Sequence, residues 1–115
     1  MRWPVRGKGR RKPGEMNETE KRYAQSLDLR VHAGEILWWM YEGMTFRLAK
    51  RTTYTPDFNV MLPDGEIECH EVKGFWIDDA RVKIKVAAEK FPFVFKAYKV
   101  RPKKDGGGFE EEVIG

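Results

Sequence analysis

A chain of 115 residues with 41% hydrophobic and 35% charged side chains suits one soluble globular domain and is too short for a second. No apolar run approaches a membrane span, and no apolar stretch follows the basic start "MRWPVRGKGRRKPG" as a secretory signal would require, so no membrane partner and a cytoplasmic location are expected. The formal net charge is +4, which points toward acidic partners, while the lone Cys69 excludes a disulfide framework and, with His32 and His70, falls short of a four-ligand zinc site.

Residues 1–14 form a Gly/Pro/basic arm with too few apolar groups to fold alone. Six Arg/Lys lie between Arg2 and Lys12 with no acid among them, including the run Arg10, Arg11, Lys12. Such an arm serves solubility, or it neutralises phosphates and releases their counterions. Residues 15–115 are expected to be the single folded domain.

"NETEKRYAQSLDLRVHAG" predicts the first helix, with Asn17 as N-cap, Glu20 completing a capping box and Gly34 at the C-terminal end. Its apolar stripe is Tyr23, Ala24, Leu27 and Val31, and Glu20 falls on that stripe one turn before Ala24. "EILWWMY" predicts a short strand, and "MTFRLAK", after Glu42-Gly43, its antiparallel neighbour. Trp38, Trp39 and Tyr41 then serve as sheet core or as an interface.

"YTPDFNVMLPDGEIECHEVKGFW" predicts a hairpin. Pro63 presets φ and Gly65 accepts the left-handed conformation that closes a three-residue loop. Leu62 then faces Glu66, and counting back along both strands sets Asp57 opposite Glu71, with Lys73 on the same face. A two-residue loop would instead turn the two acids to opposite faces. Facing carboxylates repel unless something positive lies between them, and oxygen ligands favour Mg²⁺, with Mn²⁺ as its substitute. Asp64 repeats the letters Pro-Asp but belongs to the turn, far from Glu71. Adjacent residues alternate faces, so His70 points away from Glu71 and reads as a packed or hydrogen-bonded histidine.

"DDARVKIKVAAEKF" predicts a second helix with Asp78 or Asp79 as N-cap, an inner face of Ile84, Ala87, Ala88 and Phe91, and Pro92 as its stop. Arg81 and Lys85 share another face and, with Lys83, are candidates to hold a phosphate or simply to form a solvated basic surface. "FVFKAYKV" predicts the next strand, "RPKKDGGG" a flexible basic segment and "FEEEVI" an edge strand. Helix, three or four strands, helix and strand in that order suggest an α/β sandwich with a mixed sheet between helices.

Pro56-Asp57 and Glu71-Val72-Lys73 resemble the signature of the PD-(D/E)xK nuclease superfamily. With "NETE", "YTPDF", "HEVKGFW" and "KIKVAAEKFP" in order across residues 17 to 100, the chain is similar to small phage-encoded nucleases akin to endonuclease I-type Holliday-junction resolvases. The resemblance implies a restriction-endonuclease-like three-layer core and Mg²⁺-dependent phosphodiester hydrolysis. It implies that Asp57 and Glu71 bind the metal, that the Val72 carbonyl adds a ligand, and that Lys73 orients or deprotonates the attacking water. A first-helix glutamate often joins such a site, which makes Glu20 either a catalytic and metal residue or a helix cap paired with Asn17, since one side chain could not fully do both. Trp76, beside the site, is a candidate DNA contact.

No base-reading module fits the remaining residues, so specificity is expected from the shape of the DNA. A four-way junction cut symmetrically needs two active sites, hence a homodimer. The rival readings are a nicking or end-trimming nuclease without branch preference and a catalytically idle DNA-binding protein of phage recombination or packaging.

Overall fold

The computed structural model describes residues 14–74 and 78–115; Arg10, Arg11, Lys12 and Trp76 therefore lie outside the described residues. Helix α1 (Glu18–His32) is followed by strands β1 (Trp38–Tyr41), β2 (Phe46–Ala49), β3 (Thr52–Tyr54), β4 (Phe58–Met61) and β5 (Ile67–Lys73). Helix α2 (Asp78–Lys90), strand β6 (Val94–Val100), a short 3-10 turn (Lys103–Asp105) and strand β7 (Phe109–Ile114) complete the chain. The fold is α/β, with a mixed five-stranded sheet in the order β1-β4-β5-β6-β7 and two helices. Among the described residues no helix is long and apolar enough to cross a membrane.

Both ends of α1 follow from local chemistry. The Asn17 side chain accepts from the Glu20 N–H, and the Glu20 side chain accepts from the Asn17 N–H. At the other end the Gly34 and Glu35 N–H groups bond back to the carbonyls of Val31 and Arg30, satisfying carbonyls the helix leaves open. Burial of the apolar stripe stops at Leu27, and Val31, expected on the same stripe, is exposed.

The hairpin has the expected register. Phe58 pairs with His70, Asn59 with Cys69, Val60 with Glu68 and Met61 with Ile67. The Leu62 N–H bonds the Glu66 carbonyl, and the turn holds through Gly65 at φ 90°, a conformation open to glycine at little cost, and through Asp64 Oδ1 accepting from the Glu66 N–H.

The expected pairing of "MTFRLAK" with the preceding strand does not occur. β1 pairs with β4, whereas β2 pairs with β3 in a separate two-stranded ribbon. The chain leaves β1 at Glu42, whose φ is 51°, with its N–H bonded to the Asp57 carbonyl at 2.8 Å. Phe46 of the ribbon packs instead against Phe91, Phe93 and Phe95, with ring centroids 4.7, 5.8 and 5.5 Å away. Three aromatic partners outweigh the few ladder bonds that a four-residue strand gains elsewhere. Helix α2 begins at Asp78, so both aspartates fall in its first turn rather than before it.

β5 and β6 run parallel with α2 between them, while the other sheet pairs are antiparallel. Alternate side chains of these strands feed two cores. Phe58, Val60, Val72 and Tyr98 pack with Tyr23, Ala24 and Leu27 of α1. Cys69, Phe95 and Ala97 pack with Ile84 and Ala87 of α2 and with Phe46, Leu48 and Tyr54 of the ribbon.

Candidate functional site

β4 and β5 part company just beyond the Phe58–His70 pair, and at that fork the register, carried one residue further, sets Asp57 against Glu71. Pro56 and Asp57 are buried there, and Glu71 sits on the face of β5 that also bears Cys69 and Lys73. Glu20 arrives from the first turn of α1. The three carboxylate residues are 4%, 2% and 4% exposed for Glu20, Asp57 and Glu71 respectively. Burial of this kind demands partners.

Each carboxylate has them. Glu71 Oε1 accepts from Tyr54 Oη at 2.6 Å, and Glu71 Oε2 pairs with Lys73 Nζ at 2.9 Å. Asp57 Oδ2 accepts from the Val72 N–H at 2.9 Å, so the Val72 peptide expected to lend its carbonyl also lends its amide. Glu20 Oε1 accepts from the Asn17 N–H at 2.9 Å and from Tyr41 Oη at 3.0 Å. The capping box is thus complete, and the same Glu20 oxygen also takes the Tyr41 hydroxyl, since a carboxylate has acceptor capacity for both.

Electrostatics show how closely these groups are linked. Asp57 is pushed well above the usual carboxylate range, first by burial, then by the charges of Glu71 and Glu20, with Lys73 and the Val72 N–H pulling the other way. Among the described residues, Lys73 is the cation that opposes the pressure of Glu71 and Glu20 on Asp57. Tyr54 and Tyr41 are likewise raised, by burial and by Glu71 and Glu20 respectively, and remain neutral donors.

Comparison of the chain with protein-family models, curated proteins and solved structures finds no match. The site is therefore read from its own chemistry. Among the described residues no three His, Cys, Asp or Glu side chains form a ready-made metal cage. Asp57 and Glu71 nevertheless present buried oxygen donors of the type that a hard divalent cation takes. Lys73 and Tyr54 now take up the Glu71 oxygens that such an ion would use.

Arg81 joins Lys73, Lys99, Glu110, Glu111 and Glu112 around an open groove of about 440 Å³ floored by Ala97 and Tyr98. Its guanidinium is engaged by Glu112 of β7. Lys85, exposed on α2, feels the same Glu112 carboxylate, while half-buried Lys83 is not among the groove residues.

His70 does face away from Glu71. Its Nε2 lies 2.8 Å from Glu68 Oε1 and its Nδ1 2.6 Å from Tyr23 Oη. A carboxylate can only accept, so Nε2 carries the proton and Nδ1 accepts from Tyr23. Burial pushes this imidazole below its ordinary pKa despite Glu68. The network, extended by Lys96 at 3.2 Å from Glu68 Oε2, braces α1 on the sheet.

Sequence reasoning missed Tyr54 and Tyr41 as site residues. Tyr54 stands three positions before Asp57, but its reach to Glu71 depends on the β2–β3 ribbon folding over the α2 side of the sheet. No periodicity signals such a contact.

Proposed function

We propose that the protein is a Mg²⁺-dependent structure-selective DNA endonuclease of the PD-(D/E)xK type, acting on branched DNA such as a Holliday junction. The observation that carries this reading is the buried, facing pair Asp57 and Glu71 with Lys73 ion-paired to Glu71 at 2.9 Å. The two core clusters that share β5 and β6 support a three-layer, restriction-endonuclease-like arrangement, with α1 and α2 on opposite faces of the sheet.

In this reading Asp57 and Glu71 hold the cation, with Glu20 and the Val72 carbonyl completing the shell. When bound, the cation activates water and neutralises charge on the phosphate oxygens. The chain's own groups do the positioning. Lys73 leaves Glu71 Oε2 to orient the attacking water and to stabilise charge building on the phosphate. Tyr54 fixes the Glu71 carboxylate, and the Val72 N–H fixes that of Asp57. Removing the hydroxyl in Tyr54→Phe is expected to cost about 10- to 100-fold in activity and to raise the Mg²⁺ concentration needed for half-maximal cutting. Rates measured across a Mg²⁺ titration check this; an unchanged midpoint would show that Tyr54 serves the fold alone.

A homodimer fits symmetric cutting, and edge strand β1 with the residue before it supports this by exposing Leu37, Trp38 and Met40 at 51%, 38% and 50%. The deciding experiment compares a labelled four-way junction, linear duplex and single strand, each with Mg²⁺ and with chelator. Preferential Mg²⁺-dependent cutting of the junction supports the proposal. Equal cutting of all three makes the protein a nuclease without branch preference, and binding without cutting makes it an idle DNA-binding protein.

A further inference from the structure

The groove beside Lys73 suggests what guards it in the absence of nucleic acid. Arg81, in the first turn of α2, meets both carboxylate oxygens of Glu112, with Nη1 3.1 Å from Oε1 and Nη2 2.5 Å from Oε2. Two parallel N–H···O bonds to a planar anion are also how arginine grips a phosphate. Sheet register places the rest. Glu112 pairs with Ala97, Glu110 with Lys99, and Lys99 with Lys73, so these side chains rise from one face of the sheet. The result is a strip of cations, Lys73, Arg81 and Lys99, running outward from the acid cluster and interleaved with the carboxylates of an edge strand. Arg81 and Glu112 retain 33% and 45% of their side-chain exposure, so an anion arriving from solvent can compete for the guanidinium.

We propose that this groove carries a nucleic-acid backbone away from the site, and that Glu112 occupies Arg81 as a phosphate surrogate until the strand displaces it. The inference rests on the nuclease reading only for the polyanionic partner. Its consequence is a specific coupling. Arg81 contributes fully to binding only when Glu112 no longer competes for it, so the two residues should not act independently.

The test is fluorescence anisotropy of a labelled four-way junction and a linear duplex, with chelator present, over a salt series, using the full chain and its variants. Glu112→Gln is expected to bind about fivefold more tightly than the wild type. Arg81→Ala should weaken the wild type by about twofold and the Glu112→Gln protein by about tenfold, lowering the salt slope by about one only in that second background. Equal losses in the two backgrounds would overturn the proposal, because they describe additive surface charge; so would a failure of all four proteins to bind. Mg²⁺-dependent cleavage by the wild type, run in parallel, separates the two ideas. Coupled binding without cleavage removes the nuclease reading and leaves the groove, whereas cleavage with additive binding removes the groove alone.

Discussion

Glu71→Gln is expected to reduce Mg²⁺-dependent DNA cleavage by about a thousandfold or more while the protein stays folded and still binds DNA. The substitution keeps the shape of a side chain that is buried and in contact with two partners, Tyr54 and Lys73. The amide oxygen can still accept from the Tyr54 hydroxyl. The amide nitrogen cannot accept from Lys73, but that ammonium is partly exposed and can turn toward water, which limits the cost to about 1 kcal/mol. Part of even that cost is offset, because Glu71 is one of the charges pressing on Asp57. Stability should therefore change little. Chemistry should change greatly, because an amide is a poor ligand for a hard cation and the facing pair is reduced to one acid. Binding of DNA at low salt should hold or tighten, since one negative charge is gone from beside the phosphates. Thermal melting by circular dichroism, anisotropy and cleavage on the same preparations read all three; equal cutting by both proteins removes Glu71 from the site.

The parts of this arrangement that were legible in the sequence are those set by neighbours along the chain. Pro63, Asp64 and Gly65 fix the loop length, loop length fixes the register, and the register sets Asp57 opposite Glu71. Asn17 and Glu20 announce the helix start in the same local way. What was not legible depends on distant partners. β2 has a strand-like pattern, yet the choice between β1 and β3 is settled by aromatic residues some forty-five positions later, Phe91, Phe93 and Phe95. Arg81 looks from sequence like a cation awaiting phosphate, and only the return of β7 along β6 brings Glu112 to it. For Glu20 the letters supported two roles that looked exclusive. The cap is formed in full, and half-buried Tyr41 donates to the same Glu20 oxygen, a contact that no local pattern announces.

Asp57→Asn is expected to make the metal-free protein more stable at neutral pH and to remove its response to Mg²⁺. The sign follows from linkage. Asp57 in the folded state binds its proton more tightly than in the unfolded chain, where the ordinary value of 3.8 applies. Between that value and the raised one the folded state holds more protons than the unfolded state, so stability falls as pH rises through the window. Above the window the folded protein carries an ionised Asp57 in a buried site beside Glu71 and Glu20, with Lys73 and the Val72 N–H as partial relief. Asparagine removes the charge and keeps an oxygen to accept from Val72. A gain of about 1–2 kcal/mol follows, on the order of 5–10 °C in Tm for a domain of this size. A cation bound by the wild type opposes the same repulsion and adds stability by mass action, so the wild-type Tm should climb with Mg²⁺ while that of the variant stays flat. Cleavage by the variant should be lost along with that response. Melting curves at several pH values, with Mg²⁺ and with chelator, decide the matter. A variant less stable than the wild type in chelator would mean that the Asp57 charge is already compensated within the fold, and the case for a cation between the facing acids would fall with it.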